Sequence, residues 1–172
     1  MSVLASTLSD AHARLTALAE DMQDVRRPES RKELFAAFIA EYMPQAHAKN
    51  VVLYAALLKV SKCEWAHSCA HRGQIQQQLI QELLKYLQLN RFIGSELWTA
   101  QAAVLRELVF AYVTTERESL LPRLDECFDE VQLRDLCVRY QTMREKGGAS
   151  LWGWPKTKWR RVERASEARK TA

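Results

Sequence analysis

The sequence predicts an all-α protein: an antiparallel four-helix bundle with a short fifth helix and a basic C-terminal extension. Three observations lead there. Only five glycines and four prolines occur in 172 residues, so long stretches carry no helix breaker. Apolar residues recur at i, i+3 and i+4 along those stretches, the spacing of one helix face. The connections between them are short, which favours antiparallel neighbours.

The first helix is expected over roughly 8–24, where Leu8, Ala11, Leu15 and Leu18 form a stripe and Ser9 or Thr7 offers a cap. "RRPES" breaks the pattern. The second is expected from Ser30–Glu33, a capping box, with Leu34, Phe35, Phe38, Ile39 and Tyr42 facing inward. Pro44 lacks a backbone donor and is expected to kink this helix before it resumes to about Val60. A second capping box, Ser61–Glu64, opens the third helix, which runs to about Leu87 with Ile75, Leu79, Ile80, Leu83, Leu84 and Leu87 inward. "NRFIGS" is the next turn, and the fourth helix runs from about Ser95 until Pro122 disturbs it. The fifth, roughly 129–146, opens with Asp129 and Gln132 and stops at Gly147–Gly148.

This length favours one domain, assigned to 1–148, followed by a tail over 149–172. The tail holds seven Lys/Arg against two Glu, while the whole chain has a formal net charge of +4, so the tail supplies the entire excess. Trp152, Trp154 and Trp159 interleave with those basic residues. That composition suits a protein or anionic partner, whether nucleic acid backbone or an acidic membrane surface. It equally suits a strap whose indoles lie on the bundle. No apolar run reaches the roughly 20 residues of a membrane span, and the N-terminus lacks a basic region followed by an apolar core, so a cytoplasmic location is expected. Cys63, Cys69, Cys127 and Cys137 are expected as free thiols rather than a disulfide framework. No nucleophilic triad, phosphate loop or paired-carboxylate arrangement stands out, so a binding role is expected ahead of an enzymatic one.

Reactive side chains are densest in "CEWAHSCAH", residues 63–71. On a helix, Glu64, His67 and His71 share a face, whereas Cys63 and Cys69 point away from it and cannot bond to each other without unwinding. Glu64 is explained by capping, and His67 as a partly exposed polar residue.

Together the histidines and helices resemble the hemerythrin-like family, also called the HHE cation-binding domain. That family's bundle presents a histidine, then H-x-x-x-E, then a histidine, then H-x-x-x-E around two irons. "SDAHARLTAL" offers His12, "HAKNVVLYAALL" offers His47, and His71 stands ahead of "IQQQLIQELL". "YVTTERESLLPRL" resembles the fourth motif, with Glu116 at the glutamate and Tyr112 in place of the histidine. Val51 stands where the second motif has its glutamate. The resemblance implies a non-haem iron site with His12, His47, His71 and Glu116 as ligands, and Tyr112 and His67 as further candidates. Without the bridging glutamate it implies one metal rather than two. Imidazole and carboxylate also suit zinc or manganese. The other outcome is a metal-free bundle whose scaffold outlived its ligands and works through its surface and tail. Oxygen or nitric oxide as a small ligand, and a sensing, storage or regulatory role, follow from the resemblance alone.

A second resemblance is confined to "LYAALLKVSKCEWAH", which is similar to the active-site segment of alkylhydroperoxidase-like thiol enzymes. Cys63 matches the first cysteine of that motif, but Ala66 replaces the second and His71 falls one residue late.

Overall fold

A computed structural model describes residues 2–24, 28–60, 63–90 and 92–147. Among the described residues every regular element is helical. Five helices organise them: α1 (Val3–Asp24), α2 (Pro28–Ala48), α3 (Glu64–Leu89), α4 (Glu96–Thr115) and α5 (Glu130–Lys146). Helix α2 passes directly into a π-helical segment, Lys49–Tyr54, and a last short turn, Ala55–Leu57. Helix α4 likewise passes into a π-helical segment, Glu116–Leu120, and then a 3-10 segment, Leu121–Glu126. No helix among the described residues is long and apolar enough to cross a membrane. The basic segment 149–172, with its three tryptophans, lies outside the described residues.

Local chemistry sets the helix ends, and several differ from expectation. Helix α1 begins five residues earlier than the stripe suggested, because Ser2 Oγ accepts the Ala5 amide at 3.2 Å and so supplies the cap expected of Ser9 or Thr7. Helix α2 opens at Pro28, where a missing N–H is harmless, so Ser30 and Glu33 lie inside the helix rather than capping it. The α-helix continues through Pro44, and the irregular turn comes later, at Lys49. Cys63, not Ser61, is the N-cap of α3, which puts Glu64 at the first helical position instead of the third. Ser95 caps α4 by accepting the Trp98 amide, and Asp129 with Gln132 forms the expected capping box of α5. Helix α5 ends at Gly147 as expected.

Two apolar clusters fill the interior. One gathers Leu15, Ala19 and Met22 with Phe38, Tyr42, Ile80, Leu84, Trp98, Leu105 and Val109. The other gathers Leu4 and Leu8 with Val52, Leu53, Leu57, Ala66, Ala70, Leu120, Leu124, Leu133 and Leu136. Helices α1 and α3 run from the second cluster into the first, while the α2 and α4 runs go from the first into the second. Where the clusters meet, the four helices bury the polar side chains His12, Lys49, Gln77 and Glu116. Outside this layer, Glu41 of α2 accepts from Arg14 of α1 at 2.8 Å and Arg144 of α5 at 2.7 Å, tying three helices at a partly exposed point.

The inward stripe of α3 differs from the expected one. Ile75 and Leu79 are 59% and 51% exposed, whereas Ala66, Ala70, Gly73, Gln77, Ile80, Leu84 and Leu87 are buried. Those seven alternate in steps of four and three, as a packed helix face requires. Gly73 belongs to the stripe because the Tyr54 ring passes directly over it. A Cβ built on Gly73 would stand 2.3 Å from the Tyr54 hydroxyl oxygen and 2.5 Å from its Cζ.

Gly73→Ala is therefore expected to destabilise the protein by roughly 1–3 kcal/mol, the ordinary penalty of overpacking, although alanine is the better helix former. Chemical denaturation of the variant checks this, and an unchanged or raised midpoint would contradict the close approach.

Candidate functional site

Glu116 is the centre of the buried polar layer. Its Oε2 lies 2.5 Å from Lys49 Nζ and 2.6 Å from His12 Nε2, and its Oε1 accepts from the Tyr54 hydroxyl. Lys49 Nζ also donates to the Tyr112 hydroxyl at 2.8 Å and lies 2.8 Å from His12 Nε2. Tyr112 accepts a further bond from Gln77 Nε2 at 3.0 Å and is 3.3 Å from the Tyr54 hydroxyl. Since Tyr54 donates to the carboxylate, its oxygen is free to accept from Tyr112. Around this core, Asn50 donates to Gln77 Oε1 at 2.6 Å and Tyr42 to the Gln77 carbonyl at 3.1 Å.

The irregular turns create this convergence. In an α-helix, residues five apart lie about 140° apart around the axis. A π-helix bonds i to i+5 and so stacks such residues on one face. Lys49 and Tyr54 are the two ends of the π-helical segment after α2, and both reach Glu116. Glu116 itself opens the other π-helical segment, one turn beyond Tyr112.

Burial governs the charges. Desolvation works against the Glu116 carboxylate, but the Lys49 ammonium and the His12 bond outweigh it and hold the carboxyl below its ordinary range. Burial pulls Lys49 down while Glu116 pulls it back up. With hydroxyl and carboxylate oxygens around Nζ, the pair is an ammonium facing a carboxylate. His12 is lowered by burial first and then by Lys49, so its ring is neutral. Its Nε2 cannot both donate to Glu116 and accept from Lys49, so the ring tautomer decides which of the two contacts is a hydrogen bond. Tyr54 and Tyr112 are raised well above their ordinary value, by burial and then by the Glu116 charge, which keeps both phenols protonated.

The six candidate ligands separate into two groups. His12, Tyr112 and Glu116 converge. His47 is half-buried beside the end of α5, where its Cδ2 would be 3.4 Å from a Cβ on Gly147. His71 is exposed, and His67 is bonded through Nε2 to the Val60 carbonyl at 2.9 Å. The face assignment of the second helix is also corrected: Val51 is 43% exposed, and the buried pair one turn apart is Gln45 and Lys49. Lys49, Tyr54 and Gln77 are members that sequence reasoning missed. Lys49 and Gln77 are each a polar residue on an otherwise apolar stripe, and that was the available signal for them.

These residues do not fit a metal. Lys49 Nζ already sits within hydrogen-bond reach of one atom from each converging donor, so a cation there would meet a like charge. Only one carboxylate is present, and the Tyr112 hydroxyl already accepts from Lys49 Nζ and Gln77 Nε2. Among the described residues no group of three or more His, Cys, Asp or Glu is placed to hold a metal ion. For the thiol-enzyme pattern, Cys63 faces Cys127 rather than a histidine, and His71 points to solvent.

No family model, no curated protein and no solved structure matches this chain.

Lys49→Met is expected to destabilise by about 3–5 kcal/mol, because it leaves a buried carboxylate unpaired. Adding Glu116→Gln should recover a large part, and a double-mutant cycle measured by denaturation reads the difference. The pH dependence has a defined sign. His12 and Glu116 both have depressed folded values, so the unfolded chain binds more protons and stability is lost as pH falls. The loss should begin below the ordinary histidine value of 6.5 and steepen below the ordinary glutamate value of 4.5. His12→Gln should flatten the upper part when denaturation midpoints are compared across pH.

Proposed function

We propose that this chain is a hemerythrin-like bundle that works without a metal, as a binding module acting through its surface and basic tail. The observation that carries the reading is Lys49: its ammonium stands among His12, Tyr112 and Glu116, where the resemblance would put a cation. The buried layer supports it further. Set against the pattern histidine, H-x-x-x-E, histidine, H-x-x-x-E, the inward residues are His12, then Gln45 and Lys49, then Gln77, then Tyr112 and Glu116. Two of the six ligand types remain, a bridging carboxylate has become an ammonium, and the charge a metal would bring is supplied by the chain itself.

A closed interior turns attention to the outside. Two grooves run between the end of the α2 run and α5, one of about 630 Å³ and one of about 200 Å³, both bordered by Arg139. Neither is lined by a residue of the polar layer. The tail that follows α5 carries seven basic residues and three tryptophans, a composition that favours an anionic partner.

Two measurements test this reading. Purified without chelators, then incubated with iron(II), zinc or manganese and desalted, the chain should retain far less than one metal per molecule and unfold at the same temperature as before. Retention of about one iron, with a phenolate charge-transfer band, would instead support a surviving iron site at Tyr112. Tryptophan fluorescence titrated with a single-stranded oligonucleotide should respond in the full chain and not after truncation at Gly148. An equal response from both would remove the tail from the function.

A further inference from the structure

We infer that Cys63 and Cys127 are a built thiol pair that closes to a reversible disulfide on oxidation by a peroxide. The inference does not depend on the reading of the bundle centre. The two Sγ atoms are 3.7 Å apart, across 64 residues of sequence. A disulfide needs about 2.05 Å, so the sulfurs are in contact and must approach by less than one atomic diameter. Both residues stand at helix ends, where the backbone is least constrained: Cys63 is the N-cap of α3, and Cys127 the C-cap of the 3-10 segment after α4. Neither cysteine is fully buried.

The other thiols are placed differently. Cys69 Sγ lies 3.9 Å from the Ser119 carbonyl. Cys137 is buried, with its Sγ 3.5 Å from the Thr7 hydroxyl. The arrangement therefore selects one pairing. Access exists as well: Cys63, which meets the peroxide, is only partly buried, and Cys127 lines the larger groove together with Ala56, Lys59 and Phe128.

The chemistry balances with hydrogen peroxide or an alkyl hydroperoxide as oxidant. The Cys63 sulfur attacks the terminal peroxide oxygen, the O–O bond breaks, and Cys63 becomes a sulfenic acid while water or an alcohol leaves. The Cys127 sulfur then attacks the Cys63 sulfur, the S–O bond breaks, and the departing hydroxide takes the Cys127 proton as a second water. The peroxide gains two electrons and the thiol pair loses two. Burial, then the bond to Cys63, pushes Cys127 up to about 11, so this thiol keeps its proton until the second step. The product joins the start of α3 to the segment between α4 and α5, at the edge of the groove, and oxidation is thereby coupled to the shape of that surface.

The test treats the full chain with hydrogen peroxide, blocks remaining thiols, and maps peptides without reduction. The expected result is a loss of two hydrogens per chain and one cross-linked peptide joining Cys63 to Cys127, reversed by dithiothreitol, with a rate independent of chain concentration. Cys69→Ser and Cys137→Ser should leave this product intact, and Cys63→Ser or Cys127→Ser should abolish it. A cross-link to a different cysteine, a rate that rises with chain concentration, or a sulfinic acid at Cys63 beside a reduced Cys127 would overturn the inference. The wild-type peptide map decides the question by itself, so a variant that fails to fold leaves the test intact.

Discussion

The Lys49–Glu116 ion pair is the constraint on which the interior depends. Two full charges are held away from water, in the layer where four helices cross between two apolar clusters. Isolated, either charge would cost several kcal/mol. The surrounding features satisfy this pair. The π-helical turn brings Tyr54 onto the face of Lys49, the missing Cβ of Gly73 admits the Tyr54 ring, and Tyr112 with Gln77 closes the remaining hydrogen bonds. Buried ion pairs of this kind often add less stability than apolar residues of the same volume would, whereas removing one partner alone is costly. Together with His12 and Gln77, the pair draws all four helices to one level.

Much of this was legible in the sequence. Scarce glycine and proline, stripes at helical spacing and the Asp129–Gln132 box identify an all-helical chain and place α5 accurately. The starts of α1 and α2 were misplaced, because a stripe reports burial and not where hydrogen bonding begins. The stripe of α3 was misplaced for a related reason. Ile75 and Leu79 are apolar but outward, while Gly73 and Gln77 are inward because of what faces them from other helices. A pattern built on apolarity alone cannot rank a glycine above an isoleucine.

The site was legible in half. His12, Tyr112 and Glu116 were identified from their order along the chain and do converge. His47 was not inward, since the nearest histidine to the expected motif lies two positions past the buried Gln45. The π-helical turns had no signature at all, since a widened turn is a property of the packed helices. They matter most here, because Lys49 reaches the centre through one and Glu116 begins the other. A lysine between Ala46 and Leu53 on an apolar face was the visible clue.

The most direct test of the account is the protonation of Lys49 itself, read from its side-chain nitrogen by proton–nitrogen correlation NMR at neutral pH. The account predicts a slowly exchanging ammonium signal assigned to Lys49, coupled to Glu116 and undisturbed by added iron(II) or zinc. A neutral amine at Lys49, or a signal that disappears together with the His12 ring signals as one equivalent of metal is added, would contradict it and return the bundle centre to metal binding.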